Sequence, residues 1–206
     1  MESVSADKEG LRERKRRETV RRIAEIGLKL FVERGYEATT LEVIAAAAGI
    51  SARTFFHYFK TKDEVLQFWQ GGGGFLEAVG AALLQESTGQ TPLQAVRHCL
   101  LKLLPRYDSE NSVVVDRIWH STDALRAHKQ AFFVQLEQTV FAALCESWPL
   151  LDRRPALRMT AMLSVGAMRL AIEARRQDSR TRPLTEYLQE SFAVLEVQIS
   201  PPSDRA

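Results

Sequence analysis

The sequence is poor in the residues that build cross-links, metal centres or acid–base machinery. Its two cysteines, Cys99 and Cys145, sit inside helical patterns and form no ligand pair, and its four histidines, His57, His98, His120 and His128, are scattered. Disulfide-stapled and zinc-finger architectures are thereby set aside. No HExxH, Walker or GxSxG motif occurs, so the clustered groups that catalysis needs are missing. Long hydrophobic runs are missing too. The longest, Leu157 to Ala174, is interrupted by Arg158, Arg169 and Glu173, and its charge-free part, Met159 to Met168, is too short to cross a bilayer. Eleven Gly and seven Pro among 206 residues are too few for a fibrous or disordered chain. The N-terminus is acidic and then basic without an apolar signal core, which leads us to expect a reducing, cytoplasmic setting. No cofactor, metal or membrane partner is expected.

What is present is apolar content, 45%, sufficient for a sizeable core, and an uneven distribution of charge. The net charge is only +2, but residues 8–22 hold eight Lys/Arg (Lys8, Arg12, Arg14, Lys15, Arg16, Arg17, Arg21, Arg22) against three Glu. From residue 67 onward basic and acidic side chains balance. A basic head on a neutral body suggests a polyanion met at one end. A solvated helix start would explain the charge run alone equally well.

No window sustains period-2 alternation, whereas 3.6-residue periodicity recurs throughout, so the chain is read as all-α. In a first helix over roughly 12–34, Ile23, Ile26, Gly27, Leu30 and Phe31 make one apolar stripe, and Gly35 serves as its C-cap. Thr39 with Glu42 fits a capping box for the next helix, which Gly49 ends. Ser51 caps a third helix over 52–58, and Thr61 with Glu64 opens a fourth through Trp69. Gly71 to Gly74 should break or fray the helix, so we place a boundary there. Beyond it the body reads as helices over roughly 75–87, 92–105, 111–121, 123–148, 155–177 and 183–197, with Pro92, Pro155 and Pro183 in first-turn positions.

Residues 41–58 have the spacing of a helix-turn-helix. Small Ala45 allows a close crossing, Gly49 a tight turn, and Ile44, Ala48, Ile50 and Phe55 fill the space between the helices. Such a unit lays its second helix in the major groove. Setting Phe55 inward, steps of about 100° place Phe59 beside it, while Arg53 and His57 project outward. Arg53 offers a fork suited to guanine, with a phosphate contact as the alternative; His57 can meet either. Arg12, Arg14, Lys15, Arg16 and Arg17 form a leading arm that follows the minor groove, adds phosphate contacts, or is solvated helix.

The motifs Phe31-Val32-Glu33-Arg34-Gly35-Tyr36, Ala38-Thr39-Thr40, Ile44-Ala45, Ala48-Gly49-Ile50-Ser51 and Thr54-Phe55-Phe56-His57-Tyr58-Phe59-Lys60-Thr61-Lys62-Asp63-Glu64 carry a resemblance. Residues 12–66 resemble the DNA-binding head of the tetracycline-repressor (TetR) family of bacterial regulators. The resemblance implies a homodimer whose variable body binds a small ligand and so releases operator DNA. It also implies roles at matching positions: Thr40, Ser51 and Thr54 on phosphates, although capping alone explains the first two hydroxyls, Phe56 on a thymine methyl or sugar, and Tyr58 restoring the hydroxyl that Phe56 lacks. Lys62, in the first turn of the fourth helix, adds its charge to the positive end of the macrodipole at a phosphate. Ala52 is small enough to meet a thymine methyl or is merely packed. Glu42 departs from the family, where a basic or polar side chain is common.

The expected organisation is a disordered arm over 1–11 and a three-helix helix-turn-helix DNA-binding domain over 12–70. A glycine linker over 71–74, a helical ligand-binding and dimerisation domain over 75–198, and a flexible tail over 199–206 complete it. Candidate pocket residues are His98, Arg117, Trp119, His120, Phe133 and Met162, alongside Phe132, Phe141, Met159 and Met168, although ordinary core packing explains each as well. Ala161, Val165, Gly166 and Leu170, with Leu188, Phe192 and Leu195, are read as a self-pairing surface. The partners expected are double-stranded operator DNA, a small-molecule effector and a second copy of the chain. The rival reading is an all-α interaction module or a small-molecule enzyme without DNA binding.

Overall fold

Ten α-helices and no strand make up the described part of the chain. The structure, a computed structural model, describes residues 3–69, 74–86, 88–109, 111–149, 154–178 and 182–199, with side chains from Arg12 to Gln198. Contacts divide it into two units, Met1–Gly72 and Gly73–Ala206. Gly71 to Gly73 of the expected linker lie outside the described residues, as do residues 200–206 of the expected tail; Gly74 opens a helix and Ile199 ends one.

The head consists of α1 (Ser3–Arg34), α2 (Leu41–Ala47), α3 (Ala52–Tyr58) and α4 (Lys62–Phe68). The first helix starts at Ser3, so the segment expected to be a disordered arm over 1–11 is helical from that residue. Ala6, Lys8, Glu9 and Leu11 are good helix formers, and adding residues to an existing helix needs no new nucleus. Ile23, Ala24, Gly27, Leu28, Leu30 and Phe31 are buried where α1 packs on α2 and α4. Gly35 and Gly49 both take positive φ, +86° and +66°, and turn the chain after α1 and α2.

The start of α2 differs from the expected capping box in register. Thr40 is the N-cap, its hydroxyl accepting from the Val43 N–H at 3.3 Å. Thr39 is fully buried and donates instead to the carbonyls of Gly35, 2.8 Å, and Leu30, 3.3 Å. Two adjacent threonines offer two caps, and the one whose methyl can be buried against α1 turns inward. At α4 the Thr61 hydroxyl accepts from Glu64 N–H as expected, but the Glu64 carboxylate reaches the Lys60 N–H at 2.6 Å rather than that of Thr61.

The body holds α5 (Gly74–Leu83), α6 (Pro92–Tyr107), α7 (Ser112–Trp119), α8 (Asp123–Ser147), α9 (Arg154–Gln177) and α10 (Leu184–Ile199). Its core runs from Phe75, Val79 and Leu83 through Leu100, Leu104, Leu136, Val140 and Leu144 to Ala161, Val165, Leu188 and Phe192. The fifth helix ends earlier than expected because its last turn tightens, with Gln85 and Glu86 donating three residues back. A full capping box of Thr91 and Gln94 starts α6. Pro105 lies in the last turn of α6, where it removes a single helical bond and the helix runs on to Tyr107. Asp108, just past that helix, accepts from Arg175 of α9 at 2.5 Å and from the Leu184 N–H that begins α10 at 3.2 Å. No helix among the described residues is long and apolar enough to cross a membrane.

Gly27 leaves no room for a side chain: an added Cβ would stand 2.7 Å from Cγ1 of fully buried Val65. Gly27→Ala gains about 1 kcal/mol of helix propensity, but overpacking a filled site against a stiff β-branched side chain costs about 1–3 kcal/mol. The variant is therefore expected to unfold at a lower temperature than wild type, as followed by far-UV circular dichroism.

Candidate nucleic-acid interface

A seven-residue helix is too short to stand alone in water, so α3 takes its orientation from its ends and its buried side. Ser51 is its N-cap, the hydroxyl accepting from Thr54 N–H at 3.1 Å and lying 2.8 Å from the Thr54 hydroxyl. On the inner side Phe55 and Phe59 are buried, their rings 5.8 Å apart, against Ile44, Ala45 and Ala48 of the preceding segment, also buried. With that side anchored, Ala52, Arg53, Thr54, Phe56 and His57 are all exposed. Ala52 is thus on the surface rather than packed. Phe56 leaves 40% of its surface uncovered, an apolar ring among polar neighbours. Tyr58 is half-buried, its ring edge-on to His57.

Around this face the cations are held differently. Arg53 stays exposed, with no hydrogen bond or ion pair to hold its guanidinium among the described residues. Lys60 donates to the Phe56 carbonyl at 2.7 Å, closing the end of α3; the sequence reading had overlooked it. Lys62 donates to the Tyr36 carbonyl at 2.9 Å and stands 4.3 Å over the Tyr36 ring. An ammonium has three donors, so two remain for a phosphate. The Tyr36 hydroxyl in turn donates to Asp63, and burial together with that carboxylate pushes the phenol upward from its ordinary range. Tyr36 thus ties the turn after α1 to the start of α4, a pairing 27 residues apart that no local motif announces. Glu42 is exposed, its carboxyl held below the usual range by its own N–H and the Thr40 side chain. Thr40 and Ser51 are each occupied as caps, which explains both hydroxyls without DNA.

Arg12, Arg14, Lys15, Arg16 and Arg17 are exposed on α1, before its buried stripe begins. Arg14 faces Glu18 at 3.7 Å, and the Lys15 carbonyl accepts from Thr19. The arm is therefore a continuation of a helix with cations around its circumference, not an extended strand of chain.

The model for bacterial regulatory proteins of the tetR family matches residues 23–67, which include α2, α3, all but the last residue of α4 and the buried stripe of α1. The HTH-type transcriptional regulator TcmR of Streptomyces glaucescens is 38% identical over 111 residues, 54% of this chain and 48% of TcmR. PksA, an HTH-type transcriptional regulator of Bacillus subtilis, is 27% identical over 160 residues, 73% of this chain and 72% of PksA. The chain thus matches about half the length of TcmR. The TetR-family repressor FadR of Thermus thermophilus, in complex with lauroyl-CoA, superposes with a TM-score of 0.55 at 25% identity, covering 91% of this chain and 98% of FadR. A transcriptional regulator from Aquifex aeolicus shares the fold, TM-score 0.54 at 23% identity, over 86% of this chain and 99% of its own.

Residues 23–67 thus group the head with those of the TetR family.

In the body, the residues named from sequence separate into two groups. Trp119 and His120 end α7, and His120 lies 3.2 Å from Lys129, whose ammonium sits over Phe133 at 5.9 Å. His98, Arg117 and Met162 do not join them. His98 is exposed and pairs with Glu86 at 2.9 Å, while Arg117 and Met162 face solvent. The self-pairing list needs a larger correction. Ala161, Val165, Leu188 and Phe192 are buried in the body's own core, and Leu195 packs against it. The two helices are apolar on more than one side, and the sequence could not say which side their own neighbours cover. Leu170 and half-buried Gly166 remain available.

Arg53→Ala is expected to weaken specific DNA binding by about 1–3 kcal/mol and relax preference at one base pair. Lys62→Ala should weaken all sequences alike and flatten the salt dependence. Titrations of operator and random duplex over a range of salt check both.

Proposed function

We propose that this chain is a ligand-responsive DNA-binding transcriptional regulator, a cytoplasmic homodimeric repressor released from a pseudo-palindromic operator by a small, partly apolar molecule. One observation carries the reading. Burial of Phe55 and Phe59 turns Arg53, Phe56 and His57 outward on a capped helix-turn-helix, the geometry that sets a helix into the major groove. Groove-reading side chains are of no use to a helical adaptor, and the scattered histidines do not supply an enzyme's constellation.

A second copy has a place to bind. Along α9, Met159, Met162, Gly166 and Leu170 follow one stripe at steps of three and four residues; Met159, Met162 and Leu170 are exposed, and a Cβ at Gly166 would meet nothing within 4 Å. On α10, Val194 and Val197 are likewise exposed, the latter by 72%. Since α9 and α10 pack together, two copies of this pair would form a four-helix interface with close approach at Gly166. A two-fold dimer then carries two reading helices and requires a site with two half-sites one or more DNA turns apart. The lauroyl-CoA held by FadR supports an effector with an apolar part for the body.

Selection of bound fragments from a random DNA pool tests the reading as a whole, and recovery of paired inverted half-sites is the expected result. Leu170→Glu is expected to raise the dimer dissociation constant at least tenfold, about 1.4 kcal/mol, as measured by sedimentation equilibrium. Operator affinity should fall with it.

A further inference from the structure

Charged residues inside a helical core are costly unless paired, yet the body holds several where α7, α8 and α9 meet. Asp116 of α7 accepts from Lys129 of α8 at one carboxylate oxygen and from Arg176 of α9, 3.4 Å away, at the other. Both Asp116 and Lys129 are buried. Nε2 of His120 lies 3.2 Å from the same ammonium, and the His120 carbonyl accepts from Arg126 at 2.7 Å. Lys129 and Arg169 both stand over the Phe133 ring, at 5.9 and 5.3 Å. Two cations, Lys129 and Arg176, thus share one buried carboxylate, with exposed Arg169 beside them at the Phe133 ring, while Arg126 is matched by Asp123.

The set is rich in donors and short of acceptors. Lys129 has three N–H donors and Arg176 five. With His120 Nε2 accepting from Lys129, its remaining proton sits on Nδ1 as a further donor. Trp119, which precedes His120 in sequence and is almost wholly buried, has an indole N–H with no acceptor among the described residues, and a buried donor left unmatched is costly. The positive potential is felt by the groups themselves. Burial, then Lys129 with Arg176 and Arg126, holds the imidazole of His120 below its ordinary range against the opposing pull of Asp116. Burial pushes the Lys129 ammonium down as well, with Asp116 opposing and Arg176 and Arg169 adding. The cluster is not sealed: the side chains of His120 and Arg176 are 35% and 26% exposed, against 7% for Lys129.

We propose that this cluster receives the ionised acidic group, a carboxylate or phenolate, of the effector, entering from the His120 and Arg176 side and competing with Asp116 for Lys129. The inference rests on the effector-responsive reading above and gives the effector a chemical class. Asp116 is the group with which Lys129 pairs, and so the one an anion must displace. An arriving anion supplies the further acceptor oxygens and counter-charge that one carboxylate, shared between Lys129 and Arg176, does not provide.

The test uses the full-length protein and three matched probes: 1-hydroxy-2-naphthoate, its methyl ester, and 1-naphthylmethylamine. Binding is read by tryptophan quenching and by the shift in unfolding temperature. The acid is expected to bind at least tenfold more tightly than the ester, and the amine not to bind. Arg176→Gln, at the half-exposed edge, should remove most of the acid's advantage and leave the ester unchanged. Asp116→Asn gives the result that a merely structural pair would not: the fold is less stable, but acid affinity rises several-fold because Lys129 loses its competitor. Equal binding of acid and ester, weaker acid binding in Asp116→Asn, or no binding of the acid overturns the proposal. Operator binding is followed in parallel. A protein that selects an operator but prefers the ester or amine sinks this inference alone, and one that binds the acid but no DNA sinks the regulator reading alone.

Discussion

The head depends on the rotational phase of one short helix, and Phe55 sets that phase. Seven residues cannot hold a helix against solvent, so α3 exists because Phe55 and Phe59 are buried on one side and Ser51 satisfies its first free N–H groups. Once Phe55 is inside, the side chains two places before and after it have no choice but to face out. A rotation by one residue, about 100°, would turn Thr54 or Phe56 inward in its place and expose the Phe55 ring. The outward face of α3 is in this sense the complement of a packing decision, made of what the core rejects.

The same logic separates what could be read from the sequence and what could not. The head was legible almost to the residue because its signals are local. Gly35 and Gly49 sit at the positive-φ positions that only glycine occupies cheaply, and hydroxyl caps stand within three residues of their partners. Even there, neighbouring threonines exchanged roles. Thr39 and Thr40 are equivalent as text, and only the packing of α2 on α1 decides which one goes inside. The length of α1 was underestimated because a run of charges was taken for an arm rather than for the good helix formers that many of those residues are.

The body was legible as helices but not as surfaces. Periodicity marks which positions are apolar and is silent about which neighbour covers them. For α9, apolar nearly all round, Ala161 and Val165 were assigned outward although they line the core, while Met159 and Met162 were assigned inward although they are exposed. The Asp116–Lys129 pair escaped notice for a related reason. Two charges thirteen positions apart read as surface, and only the turn between α7 and α8 brings them face to face in a buried setting.

Asp108 joins three helices through a single carboxylate: it follows the end of α6, anchors Arg175 of α9, and accepts the first N–H of α10. In mechanical language this is a pivot with three arms. A translation of α6 cannot be absorbed locally, because the pivot drags on the last turns of α9 and on the root of α10 together. Strain arising at the centre of the body is thereby delivered to the helix pair whose outer stripe is free, with little slack in the linkage.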